Sequence, residues 1–396
     1  MEKAERLKQL PPYLFVQIRN KIREAQARGI DVISLGVGDP DHPTPSHIVE
    51  ALCKAAHDPA NHPYPPDEEK GMLAFREAVA GWYARRFGVQ LDPQTEVLAL
   101  IGSKEGNHHL ALGLLNPGDL AIVPDPAYPA YLASVIFAGA EVYRVPLDPS
   151  RGFLPNLADI PTDVARRAKL LVLNYPNNPT TAVAPLEFYQ EAVAFARTFD
   201  LVVCNDNPYS EIAYDGYQPV SLLRAEGALE VGVEFNSLSK PYNMTGWRIG
   251  MAVGNREVIA AMAQVKENTD SGIFAAVQHA GIAALTGPQD CVQAVVSVYQ
   301  RRRDRVVGVL RELGLQVEAP RATFYVWAPT PNGMPSMDFA SLLLEEAGVV
   351  VTPGIGYGSR GEGFIRLSLT VPDHRLDEAL RRLVERRAAI RAAVSH

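Results

Sequence analysis

The stretch Ser237-Leu238-Ser239-Lys240-Pro241-Tyr242-Asn243-Met244-Thr245-Gly246-Trp247-Arg248-Ile249-Gly250 decides how this chain folds and what it carries. A mostly apolar run, Val231 to Phe235, precedes it, and a second, Ile249 to Val253, follows. Short apolar runs of this kind read as buried strands. The stretch is then a loop between two of them, with one lysine among small hydroxyl residues and an arginine eight positions on. A lysine beside a buried strand is partly desolvated, and desolvation lowers the pKa of an ammonium. A neutral amine attacks aldehydes, so Lys240 can hold a cofactor or substrate as a Schiff base. Ser237, Ser239 and Arg248 can all reach one phosphate. Taken alone, the stretch also fits a plain strand-to-strand loop with a surface lysine.

The chain has 396 residues, enough for about two domains. Its formal net charge of −7 argues against a general nucleic-acid surface, which needs clustered positive charge. Cys53, Cys204 and Cys291 lie far apart and make neither a metal spacing nor a disulfide framework, so no metal is expected. Cys204 sits in an apolar run and reads as a buried, inert thiol. Met1 to Leu10 is charged and lacks an apolar segment of signal-peptide length, and no run approaches a transmembrane span. The expectation is a soluble cytoplasmic protein without nucleic-acid or membrane partners.

Upstream of the lysine, Leu201 to Cys204 reads as a strand without charged residues and runs into Asn205-Asp206-Asn207-Pro208-Tyr209. An aspartate leaving a buried strand is costly unless paired; capping a turn is the plain alternative. Leu170 to Leu173 leads to Asn174-Tyr175-Pro176-Asn177-Asn178-Pro179-Thr180, and Leu120 to Val123 to a proline loop holding Tyr128. Val97 to Ile101 ends at Gly102-Ser103-Lys104-Glu105-Gly106 and an amphipathic helix through Leu115. Strand, glycine, hydroxyl residue and helix make a phosphate-binding arrangement, because the first-turn N–H groups face the anion, although many α/β turns look the same. Before it, Glu68 to Phe87 carries Met72, Phe75, Val79, Trp82 and Tyr83 at helical spacing, preceded by the proline-rich segment 59–66 with Tyr64. Asp31 to Val37 reads as a short strand ending in Gly36-Val37-Gly38-Asp39-Pro40, where two glycines let the backbone approach a ligand or simply turn. A Pro11-Pro12 break and a helix from Phe15 to Arg28 open the chain.

Downstream, Glu257 to Lys266, Ala275 to Leu285 and Cys291 to Leu313 have helical apolar spacing, and Arg301-Arg302-Arg303 reads as a solvated helix face. Thr323 to Trp327 and Gly348 to Thr352 read as strands. In Gly363-Phe364-Ile365-Arg366-Leu367-Ser368, the arginine is a lone charge in an apolar alternation. Such an arginine wants a carboxylate, which its fork binds bidentately; an internal ion pair would also satisfy it. Strands alternating with helices over residues 45–285 imply an α/β domain with a mostly parallel central sheet and helices on both faces. Residues 1–44 and 286–396 then form a smaller α+β domain. The loops named above follow strands, placing a site at the strands' carboxyl ends and between the domains.

These motifs, in this order and over nearly the whole chain, resemble those of the fold-type I (class I/II) aminotransferases that use pyridoxal 5'-phosphate (PLP). The resemblance implies that Lys240 carries PLP and that Ser103, Lys104, Ser237, Ser239 and Arg248 surround its phosphate. It implies that Tyr128 stacks on the ring, Asp206 pairs with the ring nitrogen, and Tyr209 and Asn178 bond the phenolic oxygen. Asn178 and Arg366 would hold the substrate carboxylate, with Gly38 touching substrate. Tyr64 would cross a homodimer interface to the neighbouring subunit's cofactor phosphate. One departure stands out: where many members have glycine after the Asn178-Pro179-Thr180 segment, this chain has Thr181.

The implied reaction transfers an amino group between an amino acid and a 2-oxo acid with ping-pong kinetics. Lys240 would move the Cα proton. Residues 35–40, 100–106 and 174–180 are most similar to the LL-diaminopimelate aminotransferase group, which uses glutamate and 2-oxoglutarate on the route to lysine. Aspartate, alanine and aromatic specificities stay open at this stage, as does a PLP β-lyase of the cystathionine type. A PLP-sensing regulator needs a DNA-binding domain ahead of this fold, for which the short N-terminus leaves no room. Tyr13, Phe15, Tyr131 and Tyr357 are possible walls of the substrate pocket, with packing the plainer role.

Overall fold

The apolar runs become strands, introduced here in chain order. They are β1 (Ile33–Ser34), β2 (Val97–Leu100), β3 (Leu120–Asp125), β4 (Glu141–Pro146), β5 (Ala168–Leu173) and β6 (Val202–Asp206). Then follow β7 (Gly232–Ser237), β8 (Gly250–Gly254), β9 (Tyr325–Pro329), β10 (Val349–Val350), β11 (Thr352–Pro353) and β12 (Phe364–Ser368). The structure, a computed structural model, describes residues 2–10, 14–65, 67 and 69–394. Pro11, Pro12, Tyr13, Pro66 and Glu68 lie outside the described residues, as does the side chain of Phe15.

Seven strands form one sheet in the order β2-β8-β7-β6-β5-β3-β4. The pairs from β7 through β4 are parallel, while β8 runs antiparallel to both β2 and β7. Every residue of β2, β3 and β7 is buried, as a sheet covered on both faces requires. Successive side chains of a strand point to opposite faces, and here they enter two separate cores. Leu98, Leu100, Ala121, Val123, Leu170 and Val172 pack with the helices Ser103–Leu114 and Arg256–Glu267. Val97, Ala99, Ile122, Leu171 and Leu173 pack with Leu73–Phe87 and Leu186–Phe199 on the other face. β4 lies on one side of β3 and β5 on the other. That reversal of strand order opens a crevice at the carboxyl ends, where α/β sheets bind ligands.

β11, β12 and β9 form a separate antiparallel sheet, and β1 pairs in parallel with β10. The helix expected from Glu68 begins instead at Leu73. Gly71 has φ 89°, outside the helical region, and a Cβ there would lie 2.4 Å from that of Ala99. The solvated arginine face is also corrected. Arg302 and Arg303 are only 2% and 3% exposed. Arg302 pairs with Asp41 at 2.8 Å and Asp373 at 2.7 Å, and Arg303 with Asp215 at 2.6 Å. A run of like charges on a helix cannot reveal carboxylates that arrive from other segments. Cys204 is fully buried, as read. Among the described residues no helix is long and apolar enough to cross a membrane.

Candidate active site

The loops after β2, β3, β5, β6 and β7 converge on one cavity of about 380 Å³. Its lining includes Gly38, Ser103, Lys104, Tyr128, Asn178 and Asp206, together with Tyr209, Ser237, Ser239, Lys240 and Arg248. These are eleven of the thirteen residues singled out from the sequence. Arg366 is fully buried behind the cavity and reaches it through Asn178, whose Oδ1 accepts from Nη1 at 2.7 Å. Tyr64 is 77% exposed and does not line its own chain's cavity.

Asp206 ends β6 and is buried. Its Oδ2 accepts from Asn107 Nδ2 at 3.2 Å and from the Tyr131 hydroxyl at 3.0 Å. Its Oδ1 is buried with no hydrogen-bond partner. Burial raises its pKa to about 6, against the lowering effect of the Tyr131 and Asn107 hydrogen bonds. Burial also holds the Lys240 ammonium below the usual lysine range. Lys240 Nζ lies 3.5 Å from the Gly38 carbonyl oxygen and 5.3 Å from the centre of the Phe324 ring.

Arg248 and Gly102 build one end of the cavity. Arg248 adopts φ 57°, and its Nη1 and Nη2 donate to the carbonyls of Thr245 at 2.8 Å and Ile101 at 2.7 Å. Gly102 has φ 93°, and a Cβ there would meet Arg248 Nη2 at 2.5 Å. The helix Ser103–Leu114 starts directly after it, so the positive end of the helix dipole stands beside a guanidinium and Ser103.

At the other end, Arg366 Nη2 donates to the Gly36 carbonyl at 3.0 Å, and its guanidinium lies 3.9 Å above the Tyr325 ring. Tyr209 donates to the Tyr325 hydroxyl at 3.3 Å, and burial pushes the Tyr209 phenol up. Gly38 has no Cβ because one would lie 2.1 Å from the Tyr325 hydroxyl. The Asn178 loop is fixed by Asn174, whose Oδ1 accepts from the Asn178 N–H at 2.9 Å and whose Nδ2 donates to the Asp206 carbonyl at 2.5 Å.

Asn107, Asn174 and Tyr325 went unread in the sequence as site residues. Asn107 sits one helical turn after Ser103, a spacing that puts both on one face, but nothing local says that Asp206 meets that face. Tyr131 was read as a possible substrate wall. It lines the cavity and donates to Asp206. Tyr357 instead lines a separate cavity of about 210 Å³ behind Tyr128. Arg19, from the helix Leu14–Ala27, and Asp39 complete the lining with Lys104; all three are exposed, which puts them at the mouth.

A family model, aminotransferase class I and II, matches residues 30–383. The chain is 58% identical over 383 residues to an LL-diaminopimelate aminotransferase of Moorella thermoacetica, covering 97% of this chain and 98% of that one. A protein of the same name from Syntrophobacter fumaroxidans is 58% identical over 381 residues, covering 96% of this chain and 98% of its own. Among solved structures, substrate-bound BacF of Bacillus subtilis superposes with a TM-score of 0.92 at 40% identity, over 97% of this chain and 98% of that one. The chain therefore belongs to the class I and II aminotransferases, enzymes that depend on pyridoxal 5'-phosphate.

Proposed function

We propose that this aminotransferase moves an amino group from LL-diaminopimelate to 2-oxoglutarate, as a cytoplasmic enzyme of lysine biosynthesis, and that the residues around the cavity hold both cofactor and substrate. The observation that carries the cofactor assignment is the buried, unpartnered Oδ1 of Asp206. A half-satisfied carboxylate on a cavity floor calls for a cationic N–H, which a protonated pyridine nitrogen offers. The helix start at Ser103, with Ser237, Ser239, Lys104 and Arg248, suits a phosphate at the other end. On this reading Lys240 bonds the cofactor, Tyr128 stacks on its ring, and Tyr209 and Asn178 bond its phenolic oxygen. PLP bound there supplies an electron-accepting ring that stabilises negative charge at the substrate Cα.

The chain's own groups supply position and proton movement. The Arg366 fork is held in one plane by Asn178, Gly36 and the Tyr325 ring, ready to take an α-carboxylate bidentately. Gly38 lets the backbone come close to that substrate. Lys240 Nζ, kept closer to neutral by burial, takes the proton from Cα. The mouth supports the choice of substrate. Arg19 brings positive charge and Asp39 negative charge, and the distal end of LL-diaminopimelate carries both a carboxylate and an ammonium.

The division into residues 45–285, and 1–44 with 286–396, belongs to the same reading. The β1–β10 pairing and the Arg302–Asp41 ion pair tie the first segment to the last. So does a homodimer. Tyr64 is a large aromatic left exposed, and Arg248, Ile101 and Phe274 are exposed as well. A second copy would cover them and bring its Tyr64 to this chain's phosphate site, in the commonest closed symmetry.

The test mixes the holoenzyme, without acceptor, with LL-diaminopimelate, glutamate, aspartate, phenylalanine or cystathionine in turn. Conversion of the bound cofactor to its amino form by the first two, and by neither aspartate nor phenylalanine, is expected. Conversion by aspartate or phenylalanine instead would assign another specificity, and pyruvate and ammonia from cystathionine would make the enzyme a lyase.

A further inference from the structure

A buried ionic cluster lies against the turn that precedes the helix Ser103–Leu114. Lys266 is completely buried, and its Nζ donates to Glu105 Oε1 at 2.9 Å and to both carboxylate oxygens of Asp270 at 3.0 Å. His109 Nδ1 lies 3.4 Å from the same Glu105 oxygen. Glu105, His109 and Asp270 resemble a metal-ligand set, but the Lys266 ammonium already takes the carboxylate oxygens, so the cluster is closed by an internal cation. The other oxygen of Glu105, Oε2, accepts the backbone N–H of Ile101. The Ile101 carbonyl is held from the opposite side by Arg248 Nη2 at 2.7 Å. Asp270 in turn accepts from the Gly272 N–H at 2.8 Å, which ties the segment after the helix Arg256–Glu267 into the same cluster.

We infer that the Lys266–Glu105 pair is a positioning device for the phosphate end of the cofactor site: it holds the Ile101-Gly102-Ser103 turn in the shape that presents the helix start to an anion. The inference rests on the reading of Ser103 and Arg248 as phosphate groups. Its physical basis is the cost of an unpaired buried charge. The Glu105 side chain is 8% exposed, and Lys266 Nζ faces its carboxylate at 2.9 Å. Burial alone pushes its pKa up, and Lys266 opposes that shift. A buried carboxylate stripped of its partner either takes up a proton or moves toward water. Either change weakens or removes the acceptor of the Ile101 N–H. The turn then loses the hold on its Ile101 N–H and keeps only contacts to its carbonyls, from the exposed Arg248, the Glu105 N–H and Asn107. Glu105 also lies in the first turn, where negative charge suits the helix dipole but would oppose a bound phosphate if Lys266 did not balance it. Balance and hydrogen bond therefore require both members of the pair.

The experiment measures the dissociation constants of PLP and of pyridoxal, which lacks the phosphate, by equilibrium dialysis of the full-length protein. The variants are Lys266→Met, Glu105→Gln and the double variant. Thermal unfolding is followed in parallel. Lys266→Met should weaken PLP by at least about tenfold while leaving pyridoxal within about twofold, and Glu105→Gln should show a smaller loss with the same selectivity. The double variant removes both charges and keeps an amide oxygen for Ile101, so it should recover most of the PLP affinity. Equal losses for PLP and pyridoxal, no loss for either, or a double variant as weak as Lys266→Met would overturn the inference. If Lys266→Met does not fold, Glu105→Gln and the double variant carry the same comparison. A wild-type protein that binds PLP no better than pyridoxal would instead refute the phosphate site itself, a separate and recognisable outcome.

Discussion

Asp206 shows how one atom carries a functional assignment. Its Oδ2 is satisfied by two side chains and its Oδ1 by none, so the free protein holds a carboxylate that a cationic ligand would complete. With a folded pKa of about 6 against an ordinary 3.8, the unfolded chain ionises first as pH rises. Cofactor-free protein should therefore lose stability between about pH 4 and pH 6, by about 3 kcal/mol in full. Asp206→Asn removes that titration. The difference in unfolding free energy between wild type and Asp206→Asn should shift over this range and be flat above it; a difference independent of pH would contradict the assignment. Lys240, Asp206 and Arg366 stood out in the sequence because each is a charged residue in or beside an apolar strand, where burial demands a partner. Asn107, Asn174 and Tyr325 were not. They are ordinary residues until the sheet brings them beside Asp206, Asn178 and Gly38, and no local pattern encodes that meeting.

At the scale of single elements, the turn after Asn178 shows what the departure noted in the sequence costs. Thr181 adopts φ 62°, with its N–H donated to the Asn177 carbonyl at 2.9 Å. A β-branched residue is disfavoured in this left-handed region and glycine is not. Thr181→Gly should thus raise stability by up to about 1 kcal/mol after the entropy cost of glycine, with kcat unchanged. A clear loss in chemical denaturation would show that the Thr181 side chain contributes something that its backbone conformation conceals. The arginine run teaches the reverse lesson. Its helix, Asp290–Glu312, was readable from apolar spacing, but the environment of Arg302 was not, because Asp41 and Asp373 come from distant segments. Arg302→Met leaves Asp41 half-enclosed without its cation and should cost roughly 3 kcal/mol in urea unfolding. A cost below about 1 kcal/mol would mean that the pair is a dispensable surface contact.

For the whole molecule, the architecture followed from the alternation of apolar runs and amphipathic helices, since a parallel sheet needs helices on both faces. The antiparallel β8 and the strand order were not contained in that alternation. They arise from pairing between distant segments, and they set the crevice between β3 and β5. Lys240 and Asp206 line that crevice, and Arg366, from the smaller sheet, reaches it through Asn178, so three distant parts of the chain converge on one site. The most direct test of that convergence follows deuterium incorporation at Cα when the holoenzyme is kept with LL-diaminopimelate in heavy water without any acceptor. Wild type should exchange the Cα proton, and Lys240→Ala, loaded with PLP, should exchange it at least about a hundredfold more slowly. Equal exchange by Lys240→Ala would mean that another group moves the proton, and the account of this site would fail at its centre.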